Sequence, residues 1–138
     1  MVGRLMRFLV DTNIWLELLL NQERAGEVRR LFEEHDGADF AITEFSLYSI
    51  GIILTRLDKD AVFSQFIADT LQQAGIGLVR LNSTEMNDLL SVRKQFGLDF
   101  DDAYQYTAAE RHDLALVSFD ADFDRTTRGR REPAQTRG

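Results

Sequence analysis

The stretch FLVDTNIW, residues 8–15, places a carboxylate directly after an apolar segment. The first three residues predict a short buried strand, and the residues after Asp11 have apolar side chains at helical spacing. The carboxyl end of a strand in an open parallel sheet is a place where a charged side chain can border the core and still meet solvent or a ligand. Asp11 therefore indicates a site at one edge of a sheet, provided that other polar groups converge there.

Strands and helices alternate along the rest of the chain. The predicted strands are residues 5–10, 39–42, 76–81 and 114–119. The predicted helices are residues 12–20, 23–34, 43–56, 58–75, 83–96 and 98–113. Gly75 and Gly97 stand where two of these helices should end, as glycine commonly does. Such alternation is typical of an α/β fold with three layers, α/β/α, around a parallel sheet of four to five strands.

The composition is that of one globular domain. The chain has 138 residues, of which 44% are hydrophobic and 28% charged, and no internal repeat is evident, so we expect a single domain over residues 1–138. No apolar run reaches the roughly 20 residues that span a bilayer, and residues 1–10 lack the pattern of a signal peptide. The absence of cysteine suits a reducing compartment, and we expect a cytoplasmic protein without a membrane partner.

The charge is unevenly distributed. The net charge is −7, yet residues 125–138 contain five arginines and one glutamate, which makes this basic C-terminal tail +4 and the preceding 124 residues −11. An acidic body argues against unspecific adhesion of the whole surface to nucleic acid. The tail is either a further edge strand or disordered. Its residues Arg125, Arg128 and Arg130 are candidate phosphate contacts, or alternatively part of a solvated tail.

Four acids are expected at one edge of the sheet. Asp11, Glu44 and Asp120 follow predicted strands, and Asp102 lies at the start of the helix that leads into the last strand. Each could simply satisfy free N–H groups at a helix N-terminus. Four such acids at one edge would repel one another unless a cation neutralised them. Since the chain has no cysteine and only two histidines, these oxygen ligands favour Mg²⁺ or Mn²⁺ over zinc.

Four segments resemble a known family. They are FLVDTNIW, ITEFSLYSIGIIL at residues 42–54, LDFDDAYQYTAAE at residues 98–110 and LVSFDADFDR at residues 116–125. In this order and spacing they resemble the PIN domain, and within it the toxin subunits of VapBC-type toxin–antitoxin pairs. The resemblance covers nearly the whole chain and implies a single PIN-like nuclease domain.

The resemblance assigns a role to particular residues. The catalytic and metal-binding acids that it implies are Asp11, Glu44, Asp102 and Asp120, with Asp122 as the nearest substitute for the last. Asn13 and Ser118 fall where the family has polar residues that orient the carboxylates or a metal-bound water. Asp99 matches an acidic position before the third acid, and a helix cap is its alternative role.

The implied activity is that of an endoribonuclease that requires Mg²⁺ or Mn²⁺. The resemblance also implies an RNA substrate, a cognate antitoxin protein and a homodimer. The apolar helix 43–56, Trp15 and residues 18–20 could belong to the core or line a groove for the antitoxin. The alternative function is a non-catalytic PIN-fold module that binds RNA or protein.

Two other enzyme or signalling classes fail on particular residues. A haloacid dehalogenase-type phosphatase needs an acid two positions after its first aspartate, where this chain has Asn13. A phospho-receiver domain needs paired acids at the first strand and a lysine late in the chain, but the only lysines are Lys59 and Lys94.

Overall fold

A four-stranded parallel sheet forms the centre of the molecule in the computed structural model, which describes residues 5–136. The strands are β1 (Phe8–Val10), β2 (Phe40–Thr43), β3 (Gly77–Val79) and β4 (Ala115–Val117), in the spatial order β3-β2-β1-β4. Every strand pair is parallel. The predicted strands are therefore present, and β1, β3 and β4 are shorter than expected because only three residues of each are in strand conformation.

Six α-helices connect and flank these strands. They are α1 (Thr12–Leu19), α2 (Ala25–Glu33), α3 (Glu44–Arg56), α4 (Asp60–Ile67), α5 (Ser83–Phe96) and α6 (Phe100–Arg111). The single helix expected over residues 58–75 is wrong in one respect: α4 continues into a π-helical segment, Ala68–Ala74, whose wider turn replaces the last α-helical turns. This segment ends at Gly75, whose φ of 73° lies in the left-handed region that glycine tolerates.

The sheet separates two apolar clusters, which confirms the three-layer α/β/α fold. Leu9 and Ala41 point to the side covered by α5 and α6. Their neighbours Phe8, Val10 and Ile42 point to the opposite side, which α1, α2, α3 and α4 cover. This alternation follows from the two-residue period of a strand, and burial of both faces explains why the strands are almost entirely apolar.

The C-terminal segment runs along the free edge of β4. Arg131 forms one parallel bridge with Val117. Its N–H donates to the carbonyl of Leu116 (2.8 Å), and the N–H of Ser118 donates to the carbonyl of Arg131 (3.0 Å). Within residues 5–136 this bridge stands in the place of a fifth strand, and the last two residues of the tail lie outside the described part. No helix among the described residues is both long and apolar enough to cross a bilayer.

Candidate metal centre

The strand order brings the ends of β1, β2 and β4 to one edge of the sheet. Asp11 follows β1, Glu44 follows β2, and Asp120 lies three residues beyond β4. Helix α6 runs back along β4 and begins near the same edge, which brings Asp102 to it. Parallel strands thus gather residues that are distant in sequence, as the pattern of acids predicts.

Three carboxylates converge at this edge. Asp102, Asp120 and Asp122 each offer one oxygen, and these oxygens lie within 4.8 Å of one another. Asp99, Asp101 and Asp102 form a second, overlapping group by the same measure. A cavity of about 210 Å³ opens beside them, lined by Asp11, Thr12, Asn13, Leu16, Phe45, Asp101, Asp102, Gln105 and Asp120. Its size and charge suit a hydrated cation.

Asp11 forms the buried wall of this cavity, with only 5% of its surface exposed. Its Oδ1 accepts hydrogen bonds from the backbone N–H of Thr12 (2.8 Å) and from Nε2 of Gln105 (3.0 Å). Its Oδ2 accepts from Oγ of Ser118 (2.7 Å) and from Nδ2 of Asn13 (3.4 Å). Burial raises the pKa of Asp11, and the bonds from Ser118 and Gln105 oppose that rise. The carboxylate is therefore fixed in position before any ligand arrives.

Asn13 and Ser118 connect Asp11 to the loop after β4. Nδ2 of Asn13 donates to Oγ of Ser118 (3.1 Å), and its Oδ1 accepts the N–H of Phe119 (3.1 Å). Oγ of Ser118 also accepts the N–H of Asp120 (3.0 Å). One hydroxyl thus contacts Asp11 and the backbone of Asp120, while the orienting role of Asn13 and Ser118 stays a prediction.

The titration of Asp102 is strongly perturbed. Burial raises the pKa of Asp102 to about 8, and the negative charges of Asp120, Asp101 and Asp11 add to the rise. At neutral pH this carboxyl group therefore keeps its proton unless a cation compensates the charge. The cluster as folded is one that a divalent ion would stabilise.

Glu44 is not part of the cluster. Its Oε2 accepts a hydrogen bond from the hydroxyl of Tyr48 (3.2 Å), and its Oε1 lies 3.9 Å from Nε of Arg80. Its side chain is absent from the lining of the acidic cavity. The role of Glu44 as a metal ligand stays a prediction, since it requires the side chain to turn towards the aspartates.

Helix capping accounts for two of the four predicted acids. Asp11 caps α1, and Asp120 caps the short 3₁₀ helix Ala121–Arg125 by accepting the N–H of Asp122 (2.8 Å). Asp102 lies inside the first turn of α6 and Glu44 is the first residue of α3, where Thr43 is the cap. Capping therefore does not explain why Asp102 is here. Asp99 occupies the N-cap position of α6, but its side chain makes no capping hydrogen bond.

The sequence model of the PIN domain matches residues 8–129. The chain belongs to the PIN domain family. No curated protein matches this PIN domain in sequence.

Solved structures of toxin–antitoxin proteins have the same fold as this PIN domain. A toxin–antitoxin complex from Klebsiella pneumoniae matches with a TM-score of 0.70 at 17% identity, over 91% of this chain and 96% of that chain. VapC20 of Mycobacterium tuberculosis, a sarcin–ricin loop cleaving toxin, matches with a TM-score of 0.72 at 18% identity, over 87% and 95%. VapBC2 from Rickettsia felis, bound to a promoter DNA fragment, matches with a TM-score of 0.72 at 14% identity, over 92% of this chain and 98% of that chain. At these identities the likeness concerns the fold.

Gln105 of the PIN domain is a site residue that the sequence analysis missed. It is buried, and its Nε2 donates to Asp11 and to Oγ of Ser46 (2.9 Å), while its Oε1 accepts the hydroxyl of Thr43 (2.7 Å). Gln105 lies three residues after Asp102, so both share one face of α6. That spacing is the signal that could have identified it.

The three predicted RNA-binding arginines already have partners within the PIN domain. Arg125 donates to the carbonyls of Phe96 (2.7 Å) and Gly97 (2.6 Å) and pairs with Asp122 (3.2 Å). Arg130 pairs with Asp124 (3.0 Å) and is largely buried.

Arg128 lies at the opposite end of the sheet from the acids, where the strands begin. Its guanidinium donates to the carbonyl of Leu114 (3.1 Å) and contacts Asp113 (3.3 Å), which both precede β4. The acids follow the strands instead, so Arg128 lies at the opposite end of the sheet from the acidic site, and its role as a phosphate contact stays a prediction. The sequence did not indicate this position, because no residue pattern in the tail shows that it returns to the start of β4 and then runs parallel to that strand.

Proposed function

We propose that this PIN domain is a Mg²⁺- or Mn²⁺-dependent endoribonuclease, acting in the cytoplasm as the toxin of a toxin–antitoxin pair. The observation that carries the proposal is the convergence of the carboxylates of Asp102, Asp120 and Asp122 within 4.8 Å, beside the buried Asp11. The family supports it, because toxin–antitoxin proteins share the fold and one of them is named as a toxin that cleaves the sarcin–ricin loop.

The donor set fits a hard divalent cation. All candidate ligands are carboxylate oxygens, which Mg²⁺ and Mn²⁺ prefer, and burial together with neighbouring negative charges raises the pKa of Asp102. Asp11, Asp102 and Asp120 would hold the ion, with Asp122 and Glu44 as further candidates. A bound ion supplies Lewis-acid chemistry: it polarises the phosphate, lowers the pKa of water and stabilises the leaving oxygen.

The residues of the chain would position the reaction. Ser118 and Gln105 hold the Asp11 carboxylate in one orientation, so no rearrangement of that side chain is needed when substrate binds. The hydroxyls of Ser46 and Ser118 are both buried in hydrogen bonds, which favours water over a protein nucleophile. The expected products therefore have 5′-phosphate and 3′-hydroxyl ends. Arg125 and Arg130 are the tail residues that remain candidates for phosphate contacts.

An apolar cavity supports the expectation of an antitoxin. Its volume is about 560 Å³, and it lies between α1, α2 and α4, with Trp15, Leu18, Leu19 and Phe66 among its lining. Trp15 is buried in the core and also lines this cavity, so it is compatible with both the core role and the groove role. A short amphipathic segment of a partner protein is the kind of ligand that such a groove accepts.

A half-exposed apolar surface supports the expected homodimer. Tyr48 and Ile52 lie one turn apart on α3 and are at least half exposed, and Leu78 projects from the edge strand β3 with similar exposure. The contacts of Glu44 with Tyr48 and Arg80 join α3 to the end of β3, which places these side chains on adjoining surface. A second copy of the chain would remove this surface from water.

Cleavage of a structured RNA tests the proposed function. The wild-type protein should cut it with added Mg²⁺ and should not cut it with EDTA, and the products should have the ends given above. Asp102→Asn and Asp11→Asn should lower the rate by at least about a hundredfold, because each removes a ligand of the ion. Glu110→Gln is the matched control, since Glu110 is exposed at the far end of the same helix. RNA that stays intact but bound under every condition would instead support a non-catalytic binding module.

A further inference from the structure

Arg80 lies at the edge of the sheet where the acids lie, in one row with the residues that directly follow the strands. It directly follows β3, just as Glu44 follows β2 and Asp11 follows β1. The spatial order β3-β2-β1-β4 therefore places a cation at one end of the row, then Glu44, then the aspartates. With neighbouring strands roughly 4.8 Å apart, the backbone of Arg80 is about 10 Å from that of Asp11.

Arg80 has weaker contacts and a more exposed guanidinium than the two tail arginines near this edge, Arg125 and Arg130. Within residues 5–136 its one carboxylate contact is the 3.9 Å approach to Glu44, and 70% of the side chain is exposed. Arg130, by contrast, is 13% exposed and bonds to Asp124 at 3.0 Å. Arg125 is held by two backbone carbonyls and by Asp122. Exposed ion pairs as long as that of Arg80 contribute little to stability, so its partner is easily exchanged.

We propose that Arg80 binds an RNA phosphate adjacent to the scissile one, and that without substrate it pairs with Glu44. This inference rests on the proposed endoribonuclease function. The Glu44 carboxylate contacts Tyr48 and Arg80 and is absent from the lining of the acidic cavity. When Glu44 turns towards the aspartates, Arg80 loses its carboxylate and its guanidinium becomes free to bind a phosphate through two parallel hydrogen bonds.

The charge distribution favours Arg80 over the tail arginines as the substrate contact. A polyanion that approaches the cavity meets the aspartates, so it needs a positive group close by. On the β4 side, Asp122 and Asp124 already neutralise Arg125 and Arg130. On the β3 side, Glu44 is the single carboxylate that contacts Arg80 among the described residues. The RNA strand should therefore leave the site across the ends of β2 and β3.

The test compares Arg80→Gln with Arg56→Gln. Arg56 is exposed at the other end of α3, about 18 Å from Glu44 along the helix axis, so the control removes the same charge elsewhere. Each change is made in the wild type for Mn²⁺ titration calorimetry of metal-stripped protein. Each is also made in the Asp102→Asn background, which should not cut, for fluorescence anisotropy of a labelled single-stranded RNA at several salt concentrations.

Arg80→Gln should change the two affinities in opposite directions. RNA binding should weaken several-fold, and the slope of log K against log salt should fall in magnitude by about 0.7, the value for one lost phosphate contact on a single strand. Mn²⁺ should bind more tightly, because Glu44 loses a competing cation. A misfolded variant would weaken both affinities, and Arg80→Lys should retain the slope while binding RNA less well than Arg80.

An unchanged salt slope in Arg80→Gln, or a Mn²⁺ affinity equal to or weaker than that of Arg56→Gln, would overturn the inference. The proposed function would still stand if the wild type cuts RNA in Mg²⁺. Conversely, a wild-type protein that never cuts RNA would overturn the proposed function, whereas a reduced slope in Arg80→Gln would still identify Arg80 as a phosphate contact.

Discussion

Asp11 and Asp102 border one cavity, but their surroundings differ. Asp11 is buried among four hydrogen-bond donors, which stabilise its negative charge. Burial, together with three negative neighbours, raises the pKa of Asp102 to about 8. Asp11 is therefore organised by its donors before a cation binds, whereas Asp102 lacks such donors among the described residues and meets like charges instead.

The stability of the metal-free protein should fall between pH 5 and pH 8. The pKa of Asp102 is 3.8 in an unfolded chain and about 8 in the folded one, so the folded state retains a proton that the unfolded state releases. The free energy of unfolding therefore decreases as the pH rises through this range. Asp102→Asn should remove this part of the dependence and raise the melting temperature at pH 8 by on the order of 3 °C in EDTA, measured by calorimetry.

Glu110→Gln is the control for that measurement and should keep the wild-type pH dependence. Excess Mg²⁺ at pH 8 should raise the melting temperature of the wild type towards its value at pH 5. It should raise the melting temperature of Asp102→Asn by less. If Asp102→Asn instead melted lower than the wild type in EDTA at pH 8, Asp102 would be a structural residue rather than a site of unbalanced charge.

Gln105→Leu should lower both stability and cleavage. The change leaves the buried hydroxyls of Thr43 and Ser46 and one oxygen of Asp11 short of a partner, at a cost of about 1–3 kcal/mol in the free energy of unfolding. Urea denaturation measures the loss, and the exposed Gln95→Leu is the matched control. Equal stability of the two variants would show that water replaces the amide in this network.

The positions of Asp11, Asp102 and Asp120 at one edge were predictable, because the placement of an acid after a strand is a property of local sequence. The direction of a side chain is not. Glu44 occupies the expected backbone position, yet its carboxylate turns to Tyr48 and Arg80. Gln105 escaped notice because a glutamine in the middle of a helix is usually solvated, and only its tertiary contacts reveal its role.

At the level of secondary structure, the helix ends at Gly75 and Gly97 were predicted, because glycine tolerates the left-handed backbone that both residues adopt. Asn82 caps α5: its Oδ1 accepts the N–H of Glu85 and its own N–H donates to Oε1 of Glu85, both at 2.9 Å. The Asn-x-x-Glu spacing is readable in sequence. The π-helical end of α4 was not, because a segment of 7 residues is too short for its apolar spacing to distinguish the wider turn from an α-helical one.

Asn82→Ala should destabilise the domain by about 1 kcal/mol, since one N–H of the first turn of α5 loses its acceptor. Because α5 packs against α6, the effect should appear in global urea unfolding. Asn87→Ala, an exposed substitution within the same helix, should change the unfolding midpoint much less. Indistinguishable midpoints would mean that water caps the helix equally well.

For the whole molecule, the sequence predicted the layers and the sheet but not the course of the tail. Alternating strands and helices restrict the topology strongly, whereas the tail has one proline and no hydrophobic period to place it. Arg125, Arg128 and Arg130 of the tail instead pair with Asp122, Asp113 and Asp124. Three of the positive charges that are visible in the composition therefore form ion pairs within the domain.

Ile52→Glu should convert a dimer into a monomer, because it places a charge within the apolar surface of Tyr48, Ile52 and Leu78. Analytical ultracentrifugation measures the mass. Leu5→Glu is the matched control, since Leu5 is also exposed but lies at the opposite edge of the sheet. A wild type that sediments as a monomer at all concentrations would contradict the assigned interface.

The single tryptophan of the chain gives the molecule a built-in optical probe. The Trp15 ring stacks on Phe32 at 4.7 Å and meets the edge of Phe66 at 5.2 Å, and its indole N–H has no acceptor within the described residues. An indole in such dry surroundings emits at short wavelength. A peptide that entered the adjoining apolar cavity would alter that emission without any label, so binding and unfolding could each be followed by a distinct spectral change.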